Sequence, residues 1–395
     1  MYLEKIKSEG IAHLSYVLGD GDQAVVIDPR RDCQIYVDIA ARQGSRITHI
    51  FETHRNDDYV LGSRGLARLT GATIHHGRAL DFAYGEPVDD GDTFDVNGLQ
   101  LEVLETPGHT MESISVVVGA RKFDETPVGV FTGDALFVGD VGRTDFYPDR
   151  PREVAGMLYD SIFAKLLPLG DQTILYPAHG AGSVCGDGMA SREFSTLGHE
   201  RRNNPALQQG SRDDFIAFKV AEHHEQPPYF ARMEQYNQYG APPLHVVPQP
   251  PPLTPADVAD ALDAGAHVID LRSPEAIAGA FIPGSLAIPL EMLPGYAGYL
   301  LDDEREIVLV PEHRDQVPQA VRHLIRMGWD RIAGYLDGGL HAWEVSGRPY
   351  DRIGAVHAAP LVERLRSGEP FTLLDVRKHG EWEAGRLEGA THIFL

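Results

Sequence analysis

Over roughly the first 245 residues, apolar positions fall in short β-rich runs separated by Gly, Asp, Pro and Thr, a pattern of strands punctuated by turns rather than of long amphipathic helices. Ser15–Leu18 and Ala24–Asp28 flank the turn residues Gly19, Asp20, Gly21 and Asp22, which predicts a hairpin. Four further runs each end in a residue able to bind a metal. Ile47–Phe51 leads to Thr53-His54, Leu99–Leu104 to Gly108-His109, Val128–Phe131 to Gly133-Asp134, and Thr173–Tyr176 to Ala178-His179. Loops just past strand ends are where side chains can converge without disturbing a sheet.

The pattern changes after Val246-Val247-Pro248-Gln249-Pro250-Pro251-Pro252. Each proline there lacks an amide donor and fixes φ, so the stretch reads as a semi-rigid linker and a domain boundary. Beyond it, Thr254 as N-cap and Pro255 in the first turn predict a helix running from Ala256 to Ala264, followed by the buried strand Val268–Leu271. This second pattern recurs. Val268-Ile269-Asp270-Leu271-Arg272 and Leu373-Leu374-Asp375-Val376-Arg377 stand 105 positions apart, and each is followed by an acidic residue, glycines and an apolar end at Leu290 or Leu395. The expected domains are 1–245, 253–350 and an incomplete copy over 354–395, too short to bury a core of its own.

Composition narrows the partners. A chain of 395 residues is long enough for two or three cores, and its net charge of −23 opposes binding to phosphate backbones and anionic lipid. We therefore expect no nucleic acid and no membrane partner; solubility alone is the plainest use of such a charge. Two cysteines, Cys33 and Cys185, are too few for a disulfide framework or a thiolate cluster and fit a reducing compartment. Without a signal-like N-terminus or a long apolar stretch, a cytoplasmic location is expected.

The segments Thr53-His54-Arg55-Asn56-Asp57-Asp58-Tyr59, Pro107-Gly108-His109, Thr132-Gly133-Asp134 and Tyr176-Pro177-Ala178-His179, in this order, resemble the metallo-β-lactamase superfamily over residues 1 to about 240. The resemblance implies an αββα sandwich. The superfamily's usual first motif, His-x-His-x-Asp-His, supports two zinc ions; here Asn56 and Tyr59 replace two of its histidines. Amide and phenol oxygens are poor substitutes for imidazole, so a two-zinc hydrolase is hard to build. His54, His109 and Asp134 remain, two imidazoles and a carboxylate, the set that holds one Fe(II) in non-haem oxygenases and leaves positions open for dioxygen and substrate.

The persulfide dioxygenase branch has this mononuclear arrangement, and Thr132–Phe137 with Gly142-Arg143-Thr144-Asp145-Phe146 is similar to its carboxylate loop and arginine. The implied reaction oxidises a low-molecular-weight persulfide, such as glutathione persulfide, with O2 to sulfite and thiol. Asp58 and His179, ligands of the second ion in two-metal relatives, are expected here as hydrogen-bond partners of the ligands or as pocket lining. Tyr59 is expected as a wall of the pocket rather than a substrate-side hydroxyl. Arg143 has two readings, a clamp on a substrate carboxylate or a partner for Asp145. Asp28 is expected to cap or brace the ligand loops, and Cys185 to be a buried or incidental thiol.

Asp270-Leu271-Arg272, Glu275, Gly279, Ile282-Pro283-Gly284, Ile288-Pro289-Leu290 and Leu336–Trp343 resemble a rhodanese domain. The strand Ile307–Val310 runs into Pro311-Glu312-His313-Arg314-Asp315, without the cysteine that carries sulfur in an active rhodanese. A platform role, structural or dimer-forming, is the expectation for this half. Two other functions stay open: a glyoxalase II-like thioester hydrolase with zinc, and a non-catalytic sensor or scaffold for sulfur metabolites. Homodimerisation is the default expectation for assembly.

Overall fold

The predicted hairpin forms because two β-rich runs flank Gly21-Asp22: β2 (His13–Asp20) pairs antiparallel with β3 (Gln23–Ile27). The computed structural model describes all residues except 121–126, 184, 185, 187, 223, 225, 303 and 395. Cys185 and Leu395 thus lie outside the described residues; Cys33 is a buried free thiol. Contacts divide the chain into two units, one of residues 1–250, 291–298 and 315–332, the other of residues 251–290, 299–314 and 333–395.

In the first unit, β1 (Tyr2–Ser8), β2, β3, β4 (Arg46–Phe51), β5 (Thr73–Gly77) and β6 (Glu86–Val88) form one sheet in sequence order. A second sheet runs, from one edge to the other, β12 (Ser195–Thr196), β11 (Ile174–Pro177), β10 (Gly129–Gly133), β9 (Ile114–Ala120), β8 (Leu99–Glu105) and β7 (Thr93–Val96). Alternation along the strands sorts the apolar residues. Leu14, Tyr16, Leu18, Val25, Ile27 and Phe51 from the first sheet meet Leu101, Val103, Val116, Val118 and Phe131 from the second in the central core. The opposite faces are covered by helices, with Tyr36 and Ile39 of α1 (Gln34–Arg42) and Leu66 of α2 (Ser63–Thr70) on the first sheet, and Leu158 of α3 (Pro151–Asp160) on the second. This is the expected αββα sandwich.

The central core also holds a histidine pair with a consequence for stability. His49 Nδ1 and His75 Nε2 are 3.0 Å apart, and the His75 ring packs against both Phe51 and Phe94, at centroid distances of 5.0 and 4.6 Å. Burial, together with His49 and His76 nearby, lowers the His75 pKa to about 4. A histidine held neutral in the fold and free to protonate when unfolded stabilises fully above pH 6.5, and that stability is lost as the pH falls toward 4. A shift of this size corresponds to roughly 3 kcal/mol. Thermal unfolding followed from pH 7 to 4 should therefore show a steeper loss in the wild type than in His75→Phe; equal slopes would contradict the assignment.

The second unit contains a parallel sheet in the order β13 (Pro252–Leu253), β17 (Ile332–Leu336), β16 (Ile307–Val310), β14 (His267–Asp270), β15 (Leu286–Ala287). The helix Pro255–Asp263 starts with a capping box: Thr254 Oγ accepts from Asp257 N while the Asp257 side chain accepts from Thr254 N. Val268, Val308, Val310 and Leu336 are fully buried beneath it and its neighbours.

The repeat is reproduced bond for bond at the 105-residue offset. Arg272 holds Asp270 through Nε and donates from Nη2 to Ala280 O; Arg377 holds Asp375 and donates to Gly385 O. Asp270 pairs in register with Ala287, and Asp375 with His392, joining β18 (Leu374–Asp375) to β19 (Thr391–His392). The copies differ in cover. Asp270 is fully buried because β16 flanks β14, whereas among the described residues β18 pairs with β19 alone and Leu374 is 48% exposed. The helices Ala358–Ser367 and His379–Ala384 bury no residue, as a half-length copy must.

Candidate metal site

Each of the four strands ends short of its polar residue, and the following loop turns that residue inward. β4 is followed by Glu52, Thr53 and His54; β8 by the segment reaching His109; β10 directly by Asp134; and β11 by Ala178 and His179. Two glycines make the approach possible. Gly133 has φ +53° and sits where a Cβ would fall 2.7 Å from Thr53 Oγ1, and at Gly142 a Cβ would lie 2.0 Å from Asp134 O. The backbones of the ligand loops can pack this closely only without side chains at those points.

His54, His109 and Asp134 are buried, and one ligand atom from each lies within 4.8 Å of the others. His54 Nε2 is 3.7 Å and His109 Nε2 3.5 Å from Asp134 Oδ2. Separations close to these are spanned by ligands on one ion with bonds of roughly 2.1 Å. Both Nε2 atoms are buried and have no hydrogen-bond partner, an arrangement that is costly unless something else satisfies them.

The hydrogen bonds around the rings assign their tautomers. Asp28 accepts from Thr53 N and from Thr53 Oγ1, both at 2.7 Å. Having given its proton to Asp28, the Thr53 hydroxyl accepts from His54 Nδ1 at 2.9 Å, which leaves the Nε2 lone pair bare. His109 Nδ1 donates to Arg143 O at 3.0 Å, with the same result. Burial, reinforced by His109, His179 and Arg55 against the attraction of Asp134, lowers the His54 pKa to about 3; burial also lowers that of His109. Both rings are therefore neutral and ready to ligate at physiological pH. Burial raises the Asp134 pKa, but the charge of His179 and its hydrogen bond outweigh it and hold the carboxyl well below the usual range. Two neutral imidazoles and one anionic oxygen fit a single divalent transition ion.

His179 does not join this group. Its Nδ1 lies 2.8 Å from Asp134 Oδ1 and its Nε2 3.1 Å from Asp58 Oδ2. Burial disfavours its charge, yet the two carboxylates together raise its pKa well above the usual value. Asp58, His179 and Asp134 form a chain that orients the ligating carboxylate. Tyr59 is fully buried, its ring tilted against that of His13 at 4.0 Å and meeting the edge of His179. Asn56 turns its Nδ2 to His54 O at 3.2 Å.

Arg143 is fully buried, with Nε and Nη2 each 2.7 Å from Asp145, and it lies over the rings of Phe146 and Phe230. Of its two readings, the partnership with Asp145 is the one present; a clamp on substrate would have to compete with that bidentate pair. Sequence reasoning missed three contributors. Thr53 relays Asp28 to His54, the Arg143 carbonyl orients His109, and Asn237, 1% exposed, binds the loop after His54 from far along the chain. Thr53 beside a ligand was a signal that went unread; the other two had none.

The chain matches the metallo-β-lactamase superfamily over residues 9–179 and the rhodanese-like domain over 254–346. Persulfide dioxygenase ETHE1, mitochondrial, of Bos taurus is 31% identical over 202 residues, covering 49% of this chain and 70% of the relative. The chain belongs to the metallo-β-lactamase superfamily. Within it, the chain falls in the persulfide-dioxygenase-like branch, joined to a rhodanese-like domain. The crystal structure of a metallo-β-lactamase from Staphylococcus aureus subsp. aureus COL superposes with a TM-score of 0.77 at 30% identity, covering 85% of this chain and 98% of that one. Hydroxyacylglutathione hydrolase GloC of Haemophilus influenzae is also similar, at 28% identity over 49% of this chain and 91% of its own length. Among the described residues, no helix is long and apolar enough to cross a membrane.

Proposed function

We propose that this superfamily member is a mononuclear iron-dependent dioxygenase that converts a small persulfide, such as glutathione persulfide, with O2 and water into sulfite and the corresponding thiol. One terminal sulfur is oxidised, the S–S bond breaks, and the thiol leaves with a proton: RSSH + O2 + H2O gives RSH + H2SO3. The observation that carries this reading is the donor set, in which His54 Nε2 and His109 Nε2, both buried without a hydrogen-bond partner, converge on Asp134 Oδ2, while His179 Nε2 lies 3.1 Å from Asp58 Oδ2 as an ion pair. A second ion would have to break that pair and would find Asn56 and Tyr59 where relatives have imidazoles. When bound, ferrous iron supplies a redox couple that zinc lacks and open positions for both reactants, removing an unfavourable bimolecular encounter.

The chain's own residues set the conditions for this chemistry. Asp28 and Thr53 keep the proton of His54 on Nδ1, and Arg143 O keeps that of His109 there. His179, held between Asp58 and Asp134, fixes the direction in which Asp134 Oδ2 points and neutralises part of its charge. Phe146 packs its ring at 5.3 Å against His109, an apolar surface that limits water beside the ligands.

The test is to purify the protein anaerobically, measure its metal, and follow oxygen uptake on adding glutathione persulfide. One iron per chain, with oxygen consumed and sulfite formed in equal amounts, is expected. Two zinc ions with cleavage of a glutathione thioester, or metal-free inert protein, would replace this reading with the hydrolase or the sensor.

A further inference from the structure

The loop between His54 and α2 has little regular structure, yet it presents Asp58 to His179 and puts Tyr59 against the same ring. Its backbone is gripped by one distant side chain. Asn237 Nδ2 donates to Asn56 O and to Tyr59 O, both at 2.7 Å, and Asn237 Oδ1 accepts from Leu61 N at 2.9 Å. The orientation of the amide is unambiguous, since the flipped form would set an acceptor against two carbonyls. Asn237 lies in the π-helical turn Tyr236–Gly240, beyond residues 9–179 that match the superfamily. That turn is itself pinned: Tyr84 Oη donates to Asn237 O at 2.7 Å, and Ala83 N to Gln238 O at 2.9 Å.

We propose that Asn237 is a positioning residue for the metal site: by clamping Asn56, Tyr59 and Leu61 it holds Asp58 on His179, and through His179 it sets the ligating oxygen of Asp134. A buried amide with both donors and its oxygen engaged is costly to misplace, so the loop has one favoured conformation while Asn237 is present. Without it, the carbonyls of Asn56 and Tyr59 lose their partners and the loop must move to find new ones. Asp58 moves with the loop, and the chain to Asp134 loosens. This rests on the metal-site reading but not on the metal being iron or on the reaction being an oxidation.

The test titrates Co(II) into metal-free protein and records its visible absorption for the wild type, Asn237→Leu and Asn237→Asp. Leu removes all three bonds at similar volume; Asp keeps the size and the acceptor but sets an oxygen against two carbonyls. Both variants are expected to bind Co(II) about tenfold more weakly, in line with the usual effect of losing a partner that orients a ligand, and with displaced absorption bands. Asn237→Ser, which leaves room and keeps one donor, should fall between them and the wild type, and serves if either fails to fold. A purely structural role would lower the unfolding temperature and leave affinity and bands unchanged; that result overturns the proposal. Failure of the wild type to bind Co(II) overturns the metal site together with it.

Discussion

Asp134→Ala should leave a folded chain that no longer retains metal through dialysis and has lost all turnover above background. The carboxylate is the one anionic donor in the group of three, and its removal leaves two neutral imidazoles facing each other, too few to hold a divalent ion against water. It also strips His179 of one of the two partners that stabilise its charge, although the 3.1 Å contact with Asp58 remains and makes survival of the fold expected. Metal analysis of the dialysed variant beside the wild type checks this. Undiminished metal in the variant would show that Asp134 is not a ligand.

Asp28→Asn is a smaller change in shape with nearly as large an expected effect. The carboxylate of Asp28 only accepts, and so it forces the Thr53 hydroxyl to point away from His54. An amide in its place keeps the bond from Thr53 N through its oxygen but donates to Thr53 Oγ1 through its nitrogen. Thr53 must then turn its proton onto His54 Nδ1, and the imidazole carries its own proton on Nε2, the atom that should ligate. A loss of about 10- to 100-fold in metal affinity is expected, the range found for partners of ligating histidines. Burial raises the Asp28 pKa to about 7, against the lowering effect of its bonds from Thr53. Protonated Asp28 donates just as the amide would, so wild-type affinity should decline as the pH falls through about 7, and the Asn variant should lack that part of the dependence. Equal affinities measured at pH 8 would contradict the relay.

How much of this could be read from the chain depends on whether the signal is local. His54, His109, Asp134 and His179 were legible because each lies within four residues of a strand end, and strand ends are marked by short apolar runs and by Gly or Pro. The helix after Thr254 was legible for the same reason, since its N-cap Thr254 and first-turn Pro255 are adjacent in the sequence. The two readings of Arg143 could not be separated in advance: a clamp and a pair with Asp145 use the same residue types, and only the bidentate bonds from the guanidinium to Asp145 distinguish them. Asn237 lay beyond reach because a single amide in a polar stretch has no periodicity, and its partners at 56, 59 and 61 are main-chain groups that any residue supplies. The repeat after residue 354 was visible in its Asp-x-Arg strands. The matching bonds from Arg272 and Arg377 explain why that triplet is kept, since each arginine ties its strand to the end of the following helix.

The cysteine-free loop that follows β16 is exposed at Glu312, His313 and Arg314, where an active rhodanese needs a thiolate in a cradle of amides. We therefore assign the proposed chemistry to the first unit alone, and expect a chain carrying His54→Ala to show no residual persulfide consumption from the second.

The account stands on one ion held by three side chains. X-ray diffraction from anaerobic crystals, recorded above and below the iron absorption edge, tests this most directly. A single anomalous peak bonded to His54 Nε2, His109 Nε2 and Asp134, with Asp58 still against His179, is the predicted outcome. Two metal peaks, the second bonded to Asp58 and His179, would contradict it.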